Sequence, residues 1–265
     1  MPLIHVTSME NVFSQKRKAE TFRNLHIRGN PLVLFNAWDA GSAKAVVAGG
    51  AKAIATSSWS VAAANGFVDG ERIPLDLAMN NLRRVVSAVE VPVTVDLESG
   101  YGDAPDAVGM IIGRAIEAGA AGCNLEDSFP ANGELRKTCD QADRIACARQ
   151  VADETNTRFF INARTDVFFR RTAEHHDNTM LKEAIERARL YAKAGADGFF
   201  APGLVDINMI RRLAEASGLP VNVMLVDETP SVSILAQNGV ARVSYGPRPY
   251  LLAMKALEEA ARAAI

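Results

Sequence analysis

Residues 118–125 read AGAAGCNL, and the same order of features occurs four times along this chain. In each copy a segment with helical character ends near Gly-Ala or Gly-Val, and a short apolar run follows. The other copies are residues 48–54 (AGGAKAI), 194–200 (AGADGFF) and 238–243 (NGVARV). Glycine can end a helix in the left-handed conformation without a Cβ clash. A helix that ends there and leads into a buried strand is half of a βαβ unit.

Four further apolar runs alternate with these copies, at residues 31–38 (PLVLFNAW), 91–98 (VPVTVDLE), 159–165 (FFINART) and 220–225 (PVNVML). Their nearly continuous apolar character is typical of parallel strands that are covered on both faces. The segments between the runs show helical periodicity. The clearest of these are residues 77–86, 181–193, 207–216 and 250–264, and Asp206 is a plausible N-cap for the third.

Eight strands alternating with eight helices predict a (β/α)₈ TIM-type barrel, preceded by an extra N-terminal helix around residues 14–25. The length suits one barrel domain over residues 1–265. A doubly wound open sheet would need a glycine-rich phosphate-binding turn after its first strand. Residues 36–43 (NAWDAGSA) do not form such a turn, so the barrel is favoured.

The composition excludes several classes of function. The 29 Lys and Arg residues nearly balance the 31 Asp and Glu residues, so bulk charge indicates neither a nucleic-acid nor a membrane partner. The chain has no apolar stretch of about 18 residues and no signal-peptide pattern. Its three cysteines are an odd number without metal-type spacing, which favours free thiols. We therefore expect a cytoplasmic protein that binds a small molecule.

Acidic residues follow two neighbouring predicted strands, Asp96 and Glu98 after one and Glu126 and Asp127 after the next. Active sites of β/α barrels lie at the C-terminal ends of the strands, so four carboxylates should share one mouth. Asp96 and Glu98 are two residues apart and should face the same way. Their mutual repulsion predicts a divalent cation, Mg²⁺ or alternatively Mn²⁺, held by Asp96, Glu98 and Glu126. The alternative is that such acids cap helices or pair with arginine.

Candidate substrate-binding residues occupy other strand ends of the same mouth. Arg164 has the planar fork that suits a carboxylate or phosphonate, although a salt bridge with Asp166 is an alternative role. The hydroxyls of Ser57 and Ser58, with the backbone N–H groups of Ser58 and Trp59, form a candidate oxyanion site or an ordinary turn.

Trp38 and Asn222, at two further strand ends, complete the predicted substrate-binding set. No lysine lies at a strand end, which disfavours Schiff-base chemistry.

Six segments together resemble the isocitrate lyase/phosphoenolpyruvate mutase superfamily, and they follow its order over most of the chain. They are residues 36–43 (NAWDAGSA), 56–59 (TSSW), 66–69 (GFVD), 95–102 (VDLESGYG), 125–127 (LED) and 163–166 (ARTD). The resemblance implies a Mg²⁺-dependent enzyme that breaks or forms a C–C or P–C bond next to a pyruvate-type enolate. Asp96 would then bind the metal directly, and Glu98 and Glu126 would act through metal-bound water.

The resemblance also assigns roles outside the acidic strand ends. Asp69 would reach the metal shell or the reacting group, and Arg164 would hold the substrate carboxylate. The assembly would be a homotetramer in which the C-terminal helix, residues 250–265, is exchanged between subunits.

Two loops depart from the patterns of the superfamily. The lyase branch carries a Lys-Lys-Cys-Gly-His loop, to which residues 136–140 (RKTCD) correspond only loosely. The mutase branch uses a loop with Lys and Asn after Phe-Pro, whereas residues 129–132 (FPAN) keep only the candidate catalytic Asn132. Glu98 also stands where many members have Asp.

Our leading interpretation is a lyase or decarboxylase that cleaves a C–C bond of a small 2-oxo or 2-hydroxy carboxylic acid. One alternative is a P–C bond enzyme, either a phosphonomutase or a phosphonopyruvate hydrolase. The other alternative is a barrel that binds carboxylates without catalysis.

Overall fold

The structure is a computed structural model that describes residues 9–265. Its eight strands are β1 (Leu32–Leu34), β2 (Ile54–Ala55), β3 (Val93–Asp96), β4 (Gly122–Glu126), β5 (Phe160–Arg164), β6 (Gly198–Phe200), β7 (Val221–Met224) and β8 (Val240–Ser244). Each lies within or directly beside an apolar run that the sequence marks as a strand.

The helices alternate with these strands. They are α1 (Met9–Asn24), α2 (Ala40–Ala48), α3 (Ser58–Ala64), α4 (Leu75–Ala88), α5 (Pro105–Glu117), α6 (Thr138–Glu154), α7 (Asn178–Lys193), α8 (Ile207–Ala216), α9 (Val232–Gln237) and α10 (Arg248–Ala264), with a 3₁₀ turn at Ala173–His175. Two helices, α3 and α4, connect β2 to β3, where the alternation predicts one. Asp206 caps α8 as predicted, because its side chain accepts a hydrogen bond from the backbone N–H of Met209.

All strand pairs are parallel, and neighbours in sequence are neighbours in space. β1 pairs with β8, so the sheet curls back on itself. The remaining seam, between β1 and β2, is closed just beyond the strands, where Ala37 forms a parallel bridge with Thr56. The predicted (β/α)₈ barrel is therefore confirmed.

The repeated glycines end helices in the way that their spacing predicts. Gly50, Gly119, Gly195 and Gly239 have φ values of 92°, 93°, 102° and 82°. Gly119 also allows a close approach, because a Cβ there would lie 2.7 Å from a methyl group of Val86. The chain can thus turn at once from a helix into the next buried strand.

The extra N-terminal helix packs against the base of the barrel. Phe22 of α1 is buried with Leu32, Ala121 and Phe160 in an apolar cluster that is separate from the main core. The main core lies between the strands and the outer helices. Among the helices that the structure describes, none is long and apolar enough to cross a membrane.

Candidate active site

Asp96 is the last residue of β3 and lies at the C-terminal rim of the barrel. Its Oδ2 accepts hydrogen bonds from the backbone N–H and the hydroxyl of Ser58, at 3.2 and 3.0 Å. Its own backbone N–H donates to the Thr56 hydroxyl at 3.0 Å. Its Oδ1 is buried and has no hydrogen-bond partner among the described residues. One carboxylate oxygen is thus held in place and the other remains available.

Glu98 lies two residues beyond Asp96, after the strand has ended. Its backbone is left-handed, with φ of 53°, so the alternation of a strand no longer sets its direction. Oε2 accepts the backbone N–H groups of Gly70 and Glu71, both at 2.7 Å. Burial, and next the charges of Asp69 and Asp96, raise the pKa of Glu98 to about 7. Glu98 therefore fastens the loop after α3 to the rim.

Glu126 and Arg164 lie opposite each other on β4 and β5 and form an ion pair of 2.7 Å. Arg164 also binds Asp166 with two N–H groups, at 2.7 and 3.1 Å, so the alternative pairing with Asp166 is present as well. Burial raises the pKa of Glu126 against the opposing charge of Arg164. Two carboxylates thus share one guanidinium.

Asp127 does not join the acidic mouth, contrary to the expectation of four carboxylates there. Its side chain is completely buried, and Oδ2 accepts hydrogen bonds from Arg187 (3.1 Å) and from the Tyr191 hydroxyl (2.9 Å) on α7. Its Oδ1 accepts the backbone N–H of Asp166 at 3.0 Å. Successive residues of a strand point to opposite faces, so Asp127 is directed toward the helices while Glu126 faces the mouth.

Asp69 lies in the loop that Glu98 fastens. The residue is exposed to solvent. Partial desolvation of its carboxyl group, and next the charge of Asp96, raise the pKa of Asp69. Hydrogen bonds from the Ser58 hydroxyl and the Gly70 N–H lower the pKa of Asp69. The structure therefore brings Asp69 to the same end of the barrel as Asp96 and Glu98.

The predicted oxyanion turn has two different hydroxyls. The Ser57 side chain caps α3 and accepts hydrogen bonds from the N–H and hydroxyl of Ser60, at 3.3 and 3.1 Å. Ser58 instead binds Asp96. Sequence reasoning treated the two serines alike, whereas the start of α3 separates their roles.

Aromatic rings line the side of the mouth next to β1 and β2. Tyr250 of α10 lies between Trp38 and Trp59, with ring centroids 5.1 and 5.9 Å away in edge-to-face arrangements. Trp59 remains partly exposed. Phe169 and Phe200 lie beside the Arg164 guanidinium, at 5.3 and 5.9 Å.

The loop after β4 is a short closed turn above the mouth. Ser128 and Leu135 form an antiparallel bridge, and the Phe129 N–H donates to the Glu134 carbonyl at 2.8 Å. Asn132 is exposed at its tip and accepts the Glu134 N–H at 3.0 Å. The structure does not bring the Asn132 side chain into contact with the acidic rim.

Asn222 points into the barrel interior rather than to the open mouth. It is buried, and its Oδ1 lies 3.4 Å from the Ser244 hydroxyl. It therefore lies below the rim residues with which the sequence grouped it.

Two polar residues of the rim, Ser128 and Glu71, were not predicted from the sequence. The Ser128 hydroxyl lies 3.1 Å from Oε1 of Glu126 and 2.7 Å from Oδ2 of Asp166. Glu71 accepts the Ser99 hydroxyl and the Tyr101 N–H, both at 2.8 Å. Glu71 and Tyr101 both have left-handed backbones, with φ of 59° and 53°, and no sequence signal marks that conformation.

The donor set fits a hydrated Mg²⁺ ion. Within residues 13–265 no three His, Cys, Asp or Glu side chains converge closely enough to form a complete protein cage. Mg²⁺ commonly takes one or two direct carboxylates and keeps several waters. The buried free Oδ1 of Asp96, with Glu98 and Glu126 close enough for their charges to interact, meets that requirement.

The structure is thus a closed parallel β/α barrel whose strand ends carry several carboxylates and an arginine that pairs with two of them. The sequence model of the phosphoenolpyruvate phosphomutase family matches residues 22–265. The chain belongs to this family, within the isocitrate lyase/phosphoenolpyruvate mutase superfamily.

Individual relatives carry the names of different activities. A 2-methylisocitrate lyase of Escherichia coli (strain K12) is 31% identical over 210 residues, covering 76% of this chain and 68% of the lyase. A candidate phosphonomutase from Burkholderia cenocepacia J2315 has a solved structure with a TM-score of 0.92 and 56% identity, covering 95% of this chain and all of that one. A phosphonopyruvate hydrolase, solved with oxalate and Mg²⁺, shares the fold at a TM-score of 0.79 and 21% identity, over 91% of this chain and 84% of its own.

Proposed function

We propose that this chain is a Mg²⁺-dependent enzyme that cleaves a C–C bond of a small 2-oxo or 2-hydroxy carboxylic acid through a pyruvate-type enolate. The observation that carries the proposal is the free, buried Oδ1 of Asp96 at a rim that also holds Arg164. The oxalate and Mg²⁺ bound by the related hydrolase support the same chemistry. A bound cation would stabilise the negative charge of an enolate oxygen.

The protein groups then have separable tasks. Ser58 fixes the orientation of Asp96 through its N–H and hydroxyl. Glu98 holds the loop that carries Asp69, whose raised pKa suits a group that holds or transfers a proton. Arg164 offers a positive charge to the substrate carboxylate, and its two acidic partners keep its fork in one orientation.

Charge favours the C–C reaction over the P–C reaction. Within residues 13–265, Arg164 is the one cationic side chain within 4 Å of a rim carboxylate, and it already pairs with Glu126 and Asp166. A phosphonate carries more negative charge than a carboxylate and would need further cationic donors. The mouth is thus better matched to a substrate whose charge resides in one or two carboxylates.

Turnover of a substrate panel tests this function. Oxaloacetate, substituted malates, methylisocitrate and phosphonopyruvate are each assayed with Mg²⁺ and with a chelator. We expect Mg²⁺-dependent cleavage of a carboxylate substrate, lost in Asp96→Ala and Arg164→Ala and retained in Glu117→Gln, which alters an exposed acid on α5. Efficient turnover of phosphonopyruvate alone would favour the P–C enzyme. Tight Mg²⁺-dependent oxalate binding without any turnover would favour the binder.

We also propose a homotetramer that exchanges α10. This helix is exposed along most of its length, including Leu251, Leu252 and Leu257, and only Pro249 is buried. Beside it lies a groove of about 780 Å³ lined largely by apolar residues of β1, α2 and the segment before β1. An apolar helix face and an apolar groove of this size indicate an association surface. The number of subunits rests on the superfamily resemblance.

Light scattering of the purified chain tests this assembly. Leu257→Glu places a charge on a side chain that is 63% exposed in the isolated subunit, so it should yield smaller species without unfolding. Lys255→Gln on the same helix is the matched control and should leave the assembly intact. An unchanged mass for Leu257→Glu would contradict the exchange of α10.

The proposed compartment is the cytoplasm. Cys123, Cys139 and Cys147 are all free thiols in the structure, as a reducing environment would leave them. The proposed partner is a small carboxylate metabolite, whose carboxylate the Arg164 guanidinium would bind.

A further inference from the structure

The interior of the barrel contains a polar layer below the acidic rim. Thr94, Asn124, Asn162, Asn222 and Arg242 are all buried there. The interiors of such barrels are usually filled by branched apolar side chains. A buried polar layer therefore requires partners for each of its donors and acceptors.

Arg242 crosses this interior from one side to the other. It belongs to β8, yet its Nη2 donates to Oδ1 of Asn124 on β4 at 3.1 Å. β8 and β4 are not neighbours in the sheet, so the side chain must pass through the middle of the barrel. Asn162 of β5 donates to the same Asn124 oxygen at 2.9 Å, which leaves that acceptor fully used.

Three donors remain without an acceptor on two adjacent strands. They are Nε and Nη1 of Arg242 and Nδ2 of Asn222, and none has a hydrogen-bond partner in the part of the chain that the structure describes. Two oxygens of the same layer, Oγ1 of Thr94 and Oδ1 of Asn162, also have no partner there. The register places Asn222 directly opposite Arg242. These N–H groups therefore belong to one region of the interior.

The positive charge of Arg242 also lacks a direct counter-charge. The residue is 1% exposed, and no described carboxylate lies within 4 Å of its guanidinium. The Phe22 ring of α1 lies 5.9 Å from the guanidinium carbon of Arg242. Asp96 is the carboxylate that interacts electrostatically with Arg242 over a longer distance. However, Asp96 already binds Ser58 and is our proposed metal ligand. A buried ion without compensation destabilises the folded state.

Other buried arginines in the same barrel have more polar partners. Arg187 binds Asp127 and Arg164 binds Glu126, while Arg144 donates to backbone carbonyls and a glutamine side chain. Arg144, like Arg242, has no described carboxylate within 4 Å and an Nε without a partner, whereas Arg242 lacks acceptors at both Nε and Nη1.

We propose that the barrel interior binds a small monovalent inorganic anion, of halide size, between Arg242 and Asn222. The anion accepts the unused N–H groups and neutralises the guanidinium. Water alone would satisfy the donors but not the charge. This site is distinct from the substrate mouth and does not depend on which bond the enzyme breaks.

Bromide is the probe, because its anomalous scattering distinguishes it from water. Crystals of the full chain soaked in sodium bromide should show an anomalous peak against Arg242 and Asn222. Crystals of Arg242→Met, prepared in the same way, should lose this peak and keep any surface sites. Bromide peaks confined to the protein surface, or only water density beside Arg242, would overturn the proposal.

Thermal unfolding provides a second measurement, in potassium bromide against potassium gluconate at equal ionic strength. Saturating bromide should raise the wild-type Tm by about 5 °C relative to gluconate. Arg242→Met should lose the difference. Arg149→Met, which removes an arginine that pairs with Asp197, should keep the difference in Tm between bromide and gluconate.

Should Arg242→Met fail to fold, Asn222→Leu removes one donor at similar side-chain volume. The Asn222→Leu variant should require about tenfold more bromide than the wild type to reach half of its maximal increase in Tm. An undiminished bromide response in either folded variant would refute the site.

Discussion

Replacement of Glu98 by glutamine should stabilise the metal-free protein at neutral and alkaline pH. Glu98 is 4% exposed, and its carboxylate accepts two backbone N–H groups from Gly70 and Glu71. Glutamine keeps an oxygen that can accept both bonds but carries no charge. The variant thus removes the desolvated charge and retains the contacts that hold the loop.

The magnitude follows from the pKa of Glu98, which burial and neighbouring acids raise from 4.5 to about 7. The folded state therefore binds the proton more tightly than the unfolded state does. Below pH 4.5 both states are protonated and the group imposes no penalty. As the pH rises from 4.5 to about 7 the metal-free wild type loses stability, by roughly 3 kcal/mol in total.

Urea unfolding in the presence of a chelator measures this difference across pH. Glu98→Gln should equal the wild type in stability near pH 4.5 and exceed it by up to about 3 kcal/mol above pH 7, or roughly 5–10 °C in Tm. Glu117→Gln controls for the change in net charge at an exposed position. With Mg²⁺ present the advantage should shrink, because a cation compensates the wild-type carboxylate.

An advantage that is the same at every pH would refute the reasoning. So would a Glu98→Gln protein that is less stable than the wild type at pH 8 without metal. Either result would mean that Glu98 contributes through its contacts rather than through its buried charge.

Three further substitutions test other parts of the structure. Asp127→Ala should cost about 3–5 kcal/mol in urea unfolding because it leaves Arg187 buried without its partner, and a loss below 1 kcal/mol would contradict that pairing. Ser58→Ala should weaken Mg²⁺ binding by about tenfold in calorimetry, since its hydroxyl orients Asp96; unchanged affinity would remove that role. Gly122→Ala should cost about 1–3 kcal/mol in thermal unfolding because a Cβ would lie 2.6 Å from a carbonyl oxygen of β5, and an unchanged Tm would contradict the packing.

Much of the fold could be predicted because its signals are local. Each helix-ending glycine, such as Gly119 or Gly195, needs a left-handed φ that its own sequence context supplies. The N-cap Asp206 acts within four residues of itself. The doubled connection α3–α4 escaped prediction because a seven-residue helix has too little periodicity to be recognised in sequence.

The positions of several candidate site residues at the strand ends were predictable, but the contacts of their side chains were not. The rule that barrel sites form at strand ends correctly places Asp96, Glu126 and Arg164 at one rim. It does not say that Asn132 is held in its own turn, because that depends on the fold of the loop after β4. It also does not separate Ser57 from Ser58, because their roles depend on the residue at which α3 begins.

The sequence by itself determined that this chain is a parallel β/α barrel with acids and one arginine at its C-terminal rim, because strand alternation, helix period and glycine chemistry act over a few residues. Only the tertiary structure decided what each polar group faces. Asp127 turns to Arg187, Glu98 turns to the loop at Gly70, and Arg242 reaches across the interior. These directions arise from contacts between residues far apart in the chain, and from backbone angles that no neighbouring residue signals.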